Sequence, residues 1–131
     1  MTPRLKVKMT RRKGRGVFAN CNIKKGETIE IAPVVVLSQR QAKELNKLNI
    51  VNFCYQWGRR GNFTALVMGF APFYNHSYHP NAEYQHQPQR KAIRFFAIKN
   101  IVKGQEVTHN YNGSPDDRSP IKFTKNSWEF V

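Results

Sequence analysis

Acidic residues are scarce in this chain. Eight Asp and Glu stand against 22 Lys and Arg, a formal charge of +14 over 131 residues. No carboxylate pair stands out for acid–base work, and no nucleophile–base–acid triad can be assembled around the four histidines. Cysteine is nearly absent. Cys21 and Cys54 sit far apart, with no CxxC pair and no zinc ligand set. One disulfide between them is formally open, but two free thiols suit an intracellular chain better. His76, His79, His86 and His109 show no recognised metal spacing, so no metal is expected. No unbroken apolar run reaches the roughly 18 residues of a membrane span. The start, Met1 to Lys6, lacks the apolar stretch of a signal peptide. A cytoplasmic or nuclear protein with no membrane partner is expected. Repeats, low-complexity linkers and a GxGxxG fingerprint are all missing.

What is present suits one domain over residues 1–131. Hydrophobic content is 40%, and a chain of this size buries about two-thirds of the surface its unfolded form exposes. The basic residues cluster at Arg4 to Arg15, at Arg59-Arg60 and at Arg90-Lys91. Such an excess favours polyanions, with nucleic acid or chromatin the natural neighbours. A solvated basic face that only aids solubility is the plainer alternative.

The pattern is that of many short strands divided by glycine turns. Leu5 to Met9 alternates as a first strand, and Val17-Phe18-Ala19 opens a second after the turn Gly14-Arg15-Gly16. Ile29 to Leu37 is β-branched and apolar, a buried strand with Pro33 at a bulge or an edge. Ser38 followed by Gln41 is a capping-box pattern, which predicts a helix from Ser38 to Leu48. Val51 to Trp57 and Thr64 to Met68 flank a hairpin turn at Gly58 to Asn62. One helical turn plus loop is expected over Gly69 to Ser77. Strands follow at Ala82 to His86, Ala92 to Ile98 and Val107 to Asn110. A compact, mainly β domain with one short helix is the expected class.

Three segments carry chemistry. Gly14-x-Gly16 lets backbone approach a ligand closely, although a plain β-turn needs the same glycines. Asn75-His76-Ser77-x-x-Pro80-Asn81 is too polar for filler after an apolar run. Gly104-x-Glu106 leads into a short strand that ends at Tyr111. In this order, with Lys13 to Ala19, Lys24-Lys25-Gly26-Glu27, Gly69-Phe70 and Phe95 to Ile101, they resemble the SET-domain protein-lysine methyltransferases across nearly the whole chain. The likeness is to the minimal viral or bacterial type, without a cysteine-rich post-SET zinc cluster.

The resemblance implies a β-clip of small sheets with a C-terminal pseudoknot. The core would span about residues 4–113, with a flanking segment at 114–131. It implies S-adenosylmethionine as methyl donor, becoming S-adenosylhomocysteine, and a lysine-bearing, histone-like protein as substrate. Gly14, Arg15, Gly16, Asn75 and His76 would hold the donor, and Trp128, or failing it Phe123, would pack over it or close the lysine channel. Tyr111 would be the catalytic hydroxyl at the base of a lysine channel lined by Tyr84, His109, Phe53 and Tyr55. Departures from the family pattern stand at Gln105, His109, Asn110, Asn112 and Phe53. Those at His109, Asn110 and Asn112 leave open an inactive SET-like module that binds nucleic acid or a protein through its basic face. Pairing into a homodimer is a further expectation for so small a domain. A +14 enzyme repels a free basic tail, so either local acids (Glu27, Glu83, Asp116, Asp117) face the substrate or the basic surface grips DNA beside it.

Overall fold

The structure is a computed structural model describing residues 3–48, 54–58 and 63–121. Its strands are β1 (Leu5–Met9), β2 (Arg15–Ala19), β3 (Thr28–Leu37), β4 (Cys54–Trp57), β5 (Phe63–Val67), β6 (Asn75–His76), β7 (Ala82–Gln87), β8 (Ala92–Ala97) and β9 (Glu106–His109), with one helix α1 (Gln39–Leu45). The expected mainly β class holds, with most boundaries moved by one or two residues. The helix is shorter than its sequence pattern. Ser38 and Gln41 close a reciprocal capping box, but Asn46 already caps the C-terminal end. Ala42 and Leu45 are only half-buried, too little apolar contact to carry another turn.

Two sheets form. One runs β1-β2-β9-β6 and the other β4-β5-β3-β8-β7. β3 belongs to two pairings: Thr28 to Pro33 lie against β8, and Val34 to Leu37 against β5. Pro33, which has no N–H to give, sits at the changeover, and its carbonyl accepts the N–H of Met68 at 2.9 Å. The bulge lies elsewhere, between Thr28 and Glu30. There an extra residue lets Ile29 be buried while Glu30 also turns inward, which strict alternation would not allow.

β4 and β7 are opposite edges of the five-stranded sheet, yet their rings touch. Tyr55 meets Tyr84 edge-on at 5.4 Å, and Trp57 stacks on His86 at 5.0 Å. The sheet therefore curls until its edges are joined by aromatic contacts. Inside the curl lie Ala32, Ala65, Val67, Ile93 and Phe95. Leu5, Val17, Ala19 and Val107 fill the inner face of the smaller sheet, and a bridge between Ile23 and Ile101 ties down the connecting loops.

Candidate active site

The site forms where the closing strand β9 passes between β2 and β6. It runs antiparallel to β2, with Val17 opposite Val107, and parallel to the two-residue β6, with Asn75 opposite Thr108 and His76 opposite His109. So short a strand needs outside help. Asn81 supplies it: its Nδ2 donates to the carbonyl of Glu106 at 2.8 Å, and its Oδ1 accepts the N–H of Thr108 at 3.0 Å. One side-chain amide thus imitates a strand neighbour. Ser77 extends the ladder by donating its N–H to the carbonyl of His109 at 3.1 Å.

On one side of this crossing lies a narrow cradle. Asn75 is buried and its Nδ2 donates to the Arg15 carbonyl at 3.0 Å and to Glu106 Oε2 at 2.8 Å. Glu106 Oε1 pairs with the Lys13 ammonium at 3.0 Å. A Cβ at Gly16 would stand 2.6 Å from Glu106 Oε2 and 2.8 Å from Asn75 Nδ2, so only glycine fits. Thr10 shapes the turn before it, donating from its hydroxyl to the Gly14 carbonyl at 2.8 Å and accepting the Lys13 N–H at 2.8 Å. Arg15 itself is exposed, and what it contributes inward is its carbonyl.

On the other side stands an aromatic cluster around Tyr111. The Tyr111 N–H donates to Nδ1 of His76 at 3.0 Å, which places the imidazole proton on Nε2. Burial, and then the charge of Lys13, push His76 down to about 4. The Tyr111 hydroxyl donates to the Tyr74 carbonyl at 2.5 Å. Burial raises that phenol above its ordinary value, with Glu106 adding to the rise, so it remains a neutral donor. His109 lies 5.0 Å from the Tyr111 ring, between Tyr55 and Tyr84. The Tyr55 hydroxyl donates to the Ala71 carbonyl at 3.1 Å and lies 3.1 Å from Nε2 of His109. Nδ1 of His109 in turn faces the Asn110 carbonyl at 3.4 Å. Burial pushes His109 down to about 3, so it is neutral throughout the physiological range.

Asn75, His76, His109, Tyr55, Tyr84 and Tyr111 are thus drawn together, and Gly14 to Gly16 adjoin them through Asn75. Phe53, Trp128 and Phe123 lie outside the described residues. Glu30, Tyr74, Thr10 and the charge of Lys13 escaped the sequence reading. Glu30 shares the inward face of β3 with buried Ala32 and Val34, but in an apolar run an acid reads as an outward residue. Asn110 and Asn112, unusual in sequence, have structural work. Asn110 Nδ2 donates to the Asp117 carbonyl at 2.6 Å, and Asn112 Nδ2 to the Ser119 carbonyl at 2.9 Å. Tyr78 also donates to Ser119 at 2.9 Å, so the segment after Tyr111 is laced back over the crossing. Both cysteines are free thiols. Among the described residues, no group of three or more His, Cys, Asp or Glu could hold a metal ion.

The SET domain family matches residues 14–112, which include Gly16, Asn75 and Glu106 of the cradle, the crossing and Tyr111. The chain belongs to the SET-domain family. This SET domain is 30% identical over 110 residues to a Schizosaccharomyces pombe histone-lysine N-methyltransferase specific for H3 lysine-37, covering 82% of this chain and 72% of that protein. It is 32% identical over 113 residues to human histone-lysine N-methyltransferase 2B, covering 81% of this chain but only 4% of that much longer protein. A crystal structure of a Plasmodium falciparum protein described as a histone methyltransferase superposes with a TM-score of 0.68 at 28% identity, covering 87% of this chain and 97% of that one. Membership places the SET domain described here in a protein-lysine methyltransferase family.

Proposed function

We propose that this chain is an S-adenosylmethionine-dependent protein-lysine N-methyltransferase acting on histone tails or another basic, DNA-associated protein in the nucleus or on chromatin. One observation carries the reading. The Tyr111 hydroxyl is held on a backbone carbonyl inside an aromatic pocket, directly across the β6–β9 crossing from a glycine cradle. The cradle suits the zwitterionic end of the donor, because it sets the Lys13 ammonium and the Glu106 carboxylate beside a strip of side-chain-free backbone. Gly14, Gly16, Asn75 and the backbone of His76 would hold that end. S-adenosylmethionine supplies a methyl group on a positively charged sulfur, which the lysine nitrogen's lone pair takes as the carbon–sulfur bond breaks, leaving S-adenosylhomocysteine.

The chain's own task is to present a neutral amine. A free lysine has a pKa of about 10.4, so losing its proton at pH 7 costs about 4 to 5 kcal/mol. A pocket walled by Tyr55, Tyr84, Tyr111 and a neutral His109 lowers that cost by disfavouring the ammonium. The proton leaves to water before attack. Tyr111 and the Tyr74 carbonyl then orient the nitrogen, which is positioning and electrostatics rather than covalent catalysis. His109 stands two residues before Tyr111, where its bulk and its tie to Tyr55 would bear on how many methyl groups fit.

The basic surface fits a nucleic-acid partner next to the substrate. Seven Lys and Arg and no acid fall between Arg4 and Arg15. Arg4 is paired with Glu27 and Lys13 with Glu106. Lys6 and Lys8 project from one face of the edge strand β1, near exposed Arg11 and Arg15. Four phosphate contacts from these residues would give a log–log salt slope near about −3.6 for duplex DNA. A labelled duplex of arbitrary sequence, titrated between low and moderate salt, measures it; a flat response refutes this partner. Light scattering tests the homodimer expected of so small a domain, and a strictly monomeric result removes it.

Methyl transfer from labelled S-adenosylmethionine to core histones tests the main reading. Label should be transferred by the unaltered protein and lost in Tyr111→Phe, which removes only the hydroxyl. Failure to bind S-adenosylmethionine at all would leave the binding module instead. The structural roles found for Asn110 and Asn112 remove part of the motive for that second reading.

A further inference from the structure

Glu30 is a half-buried carboxylate that the site as described does not use. Among the described residues it makes no ion pair, and burial raises its carboxyl above the ordinary range. It accepts two hydrogen bonds. Oε2 takes the N–H of Phe70 at 2.7 Å, and Oε1 takes the hydroxyl of Tyr74 at 2.8 Å. These donors bracket the short 3-10 turn Ala71–Phe73. The turn in turn offers two carbonyls to the pocket: Ala71 receives the Tyr55 hydroxyl, and Tyr74 receives the Tyr111 hydroxyl. The contact is close enough to dictate sequence. Gly69 has φ +72, and a Cβ there would stand 2.3 Å from Glu30 Oε2.

A carboxylate without a countercharge in such a place is expensive, and strand propensity gives no reason to keep it. What it provides is geometry. Both ends of a three-residue turn are pinned to one rigid group on the central strand β3, so the two carbonyls cannot swing independently.

We propose that Glu30, acting through Tyr74, is a positioning residue that fixes the Ala71 and Tyr74 carbonyls and so aims the Tyr55 and Tyr111 hydroxyls at the reacting nitrogen. This rests on the methyltransferase reading above. Tyr74 is 2% exposed, and its ring also packs on Phe95 at 4.6 Å. Removing its hydroxyl therefore leaves the packing intact while cutting the link.

Steady-state methylation by Tyr74→Phe, Glu30→Ala and Glu30→Gln, beside Tyr111→Phe, tests it. Tyr74→Phe and Glu30→Ala should lower kcat about tenfold or more while KM for donor and histone stays within about threefold, since a misaimed group costs rate rather than binding. Glu30→Gln should fall between wild type and Glu30→Ala, because its amide oxygen still accepts the Phe70 N–H and its nitrogen can donate to the Tyr74 oxygen. If the first two do not fold, Glu30→Gln alone decides, and a wild-type kcat there overturns the proposal. So does a loss that appears in KM, or an unchanged kcat in Tyr74→Phe while Tyr111→Phe is inactive. Full activity in Tyr111→Phe would instead overturn the role given to Tyr111, a different failure and a distinguishable one.

Discussion

Acidification from pH 7 to pH 5 should destabilise this protein steeply through two buried histidines. His76 and His109 are each no more than 2% exposed and are held down to about 4 and about 3. In the unfolded chain both return to about 6.5. The sign follows from which state takes the proton. Between pH 7 and pH 5 the unfolded chain binds one at each histidine and the folded chain binds almost none, so stability falls as pH falls. Integrating the difference gives about 2 kcal/mol per histidine, or about 4 kcal/mol together. The figure barely depends on where below about 4 the folded values lie, because the unfolded state does the binding. His86, also lowered by burial, acts in the same direction. Glu30, raised by burial, acts in the opposite one, since the folded form is the first to take its proton. Against a total of about 5 to 15 kcal/mol for a domain, the net loss is large. Urea unfolding at fixed ionic strength and pH 7, 6 and 5 measures it. His109→Leu should remove about half of the slope, and it leaves the Tyr55 hydroxyl on Ala71. Stability that stays flat between pH 7 and pH 5, or a His109→Leu slope equal to wild type, would refute the reasoning.

Gly16→Ala should abolish S-adenosylmethionine binding in calorimetry, because the added methyl displaces Glu106 and Asn75 from the cradle; retained affinity would show that the donor does not use it. Asn81→Ala should cost about 2 to 4 kcal/mol in denaturant unfolding, since it strands a donor and an acceptor of β9, and it should depress methyl transfer at temperatures well below its midpoint.

The sequence disclosed the strands because their turns are marked by glycine and their faces alternate. The crossing was legible only through the family resemblance that Asn75, His76, Asn81 and Tyr111 carry, since nothing local says that their segments meet. The sequence could not disclose the curl that brings Trp57 against His86, since ring contact between two sheet edges depends on accumulated twist rather than on any local pattern. Glu30 stayed hidden for a related reason. It sits in an apolar strand where an acid reads as an outward-facing residue, yet it shares the face of buried Ala32 and Val34, and its partners Phe70 and Tyr74 lie 40 and 44 positions on. The missing N–H of Pro33 predicts a bulge or an edge. The structure instead has a change of partner strand there.

The order in which the chain is synthesised has a consequence for how the site comes into being. Val107 pairs with Val17, 90 positions earlier, and Thr108 with Asn75, 33 positions earlier. Neither pairing rewards the chain until β9 exists, so loop closure must be met before those contacts form. A nascent chain that has already emitted β1 to β8 still exposes the unpaired flanks of β2 and β6. During that interval it is open to chaperones and to pairing with other strands. The tyrosine reaches its carbonyl only when β9 slots home, so methyl transfer should appear as a late, all-or-none event in refolding, well after most secondary structure is present.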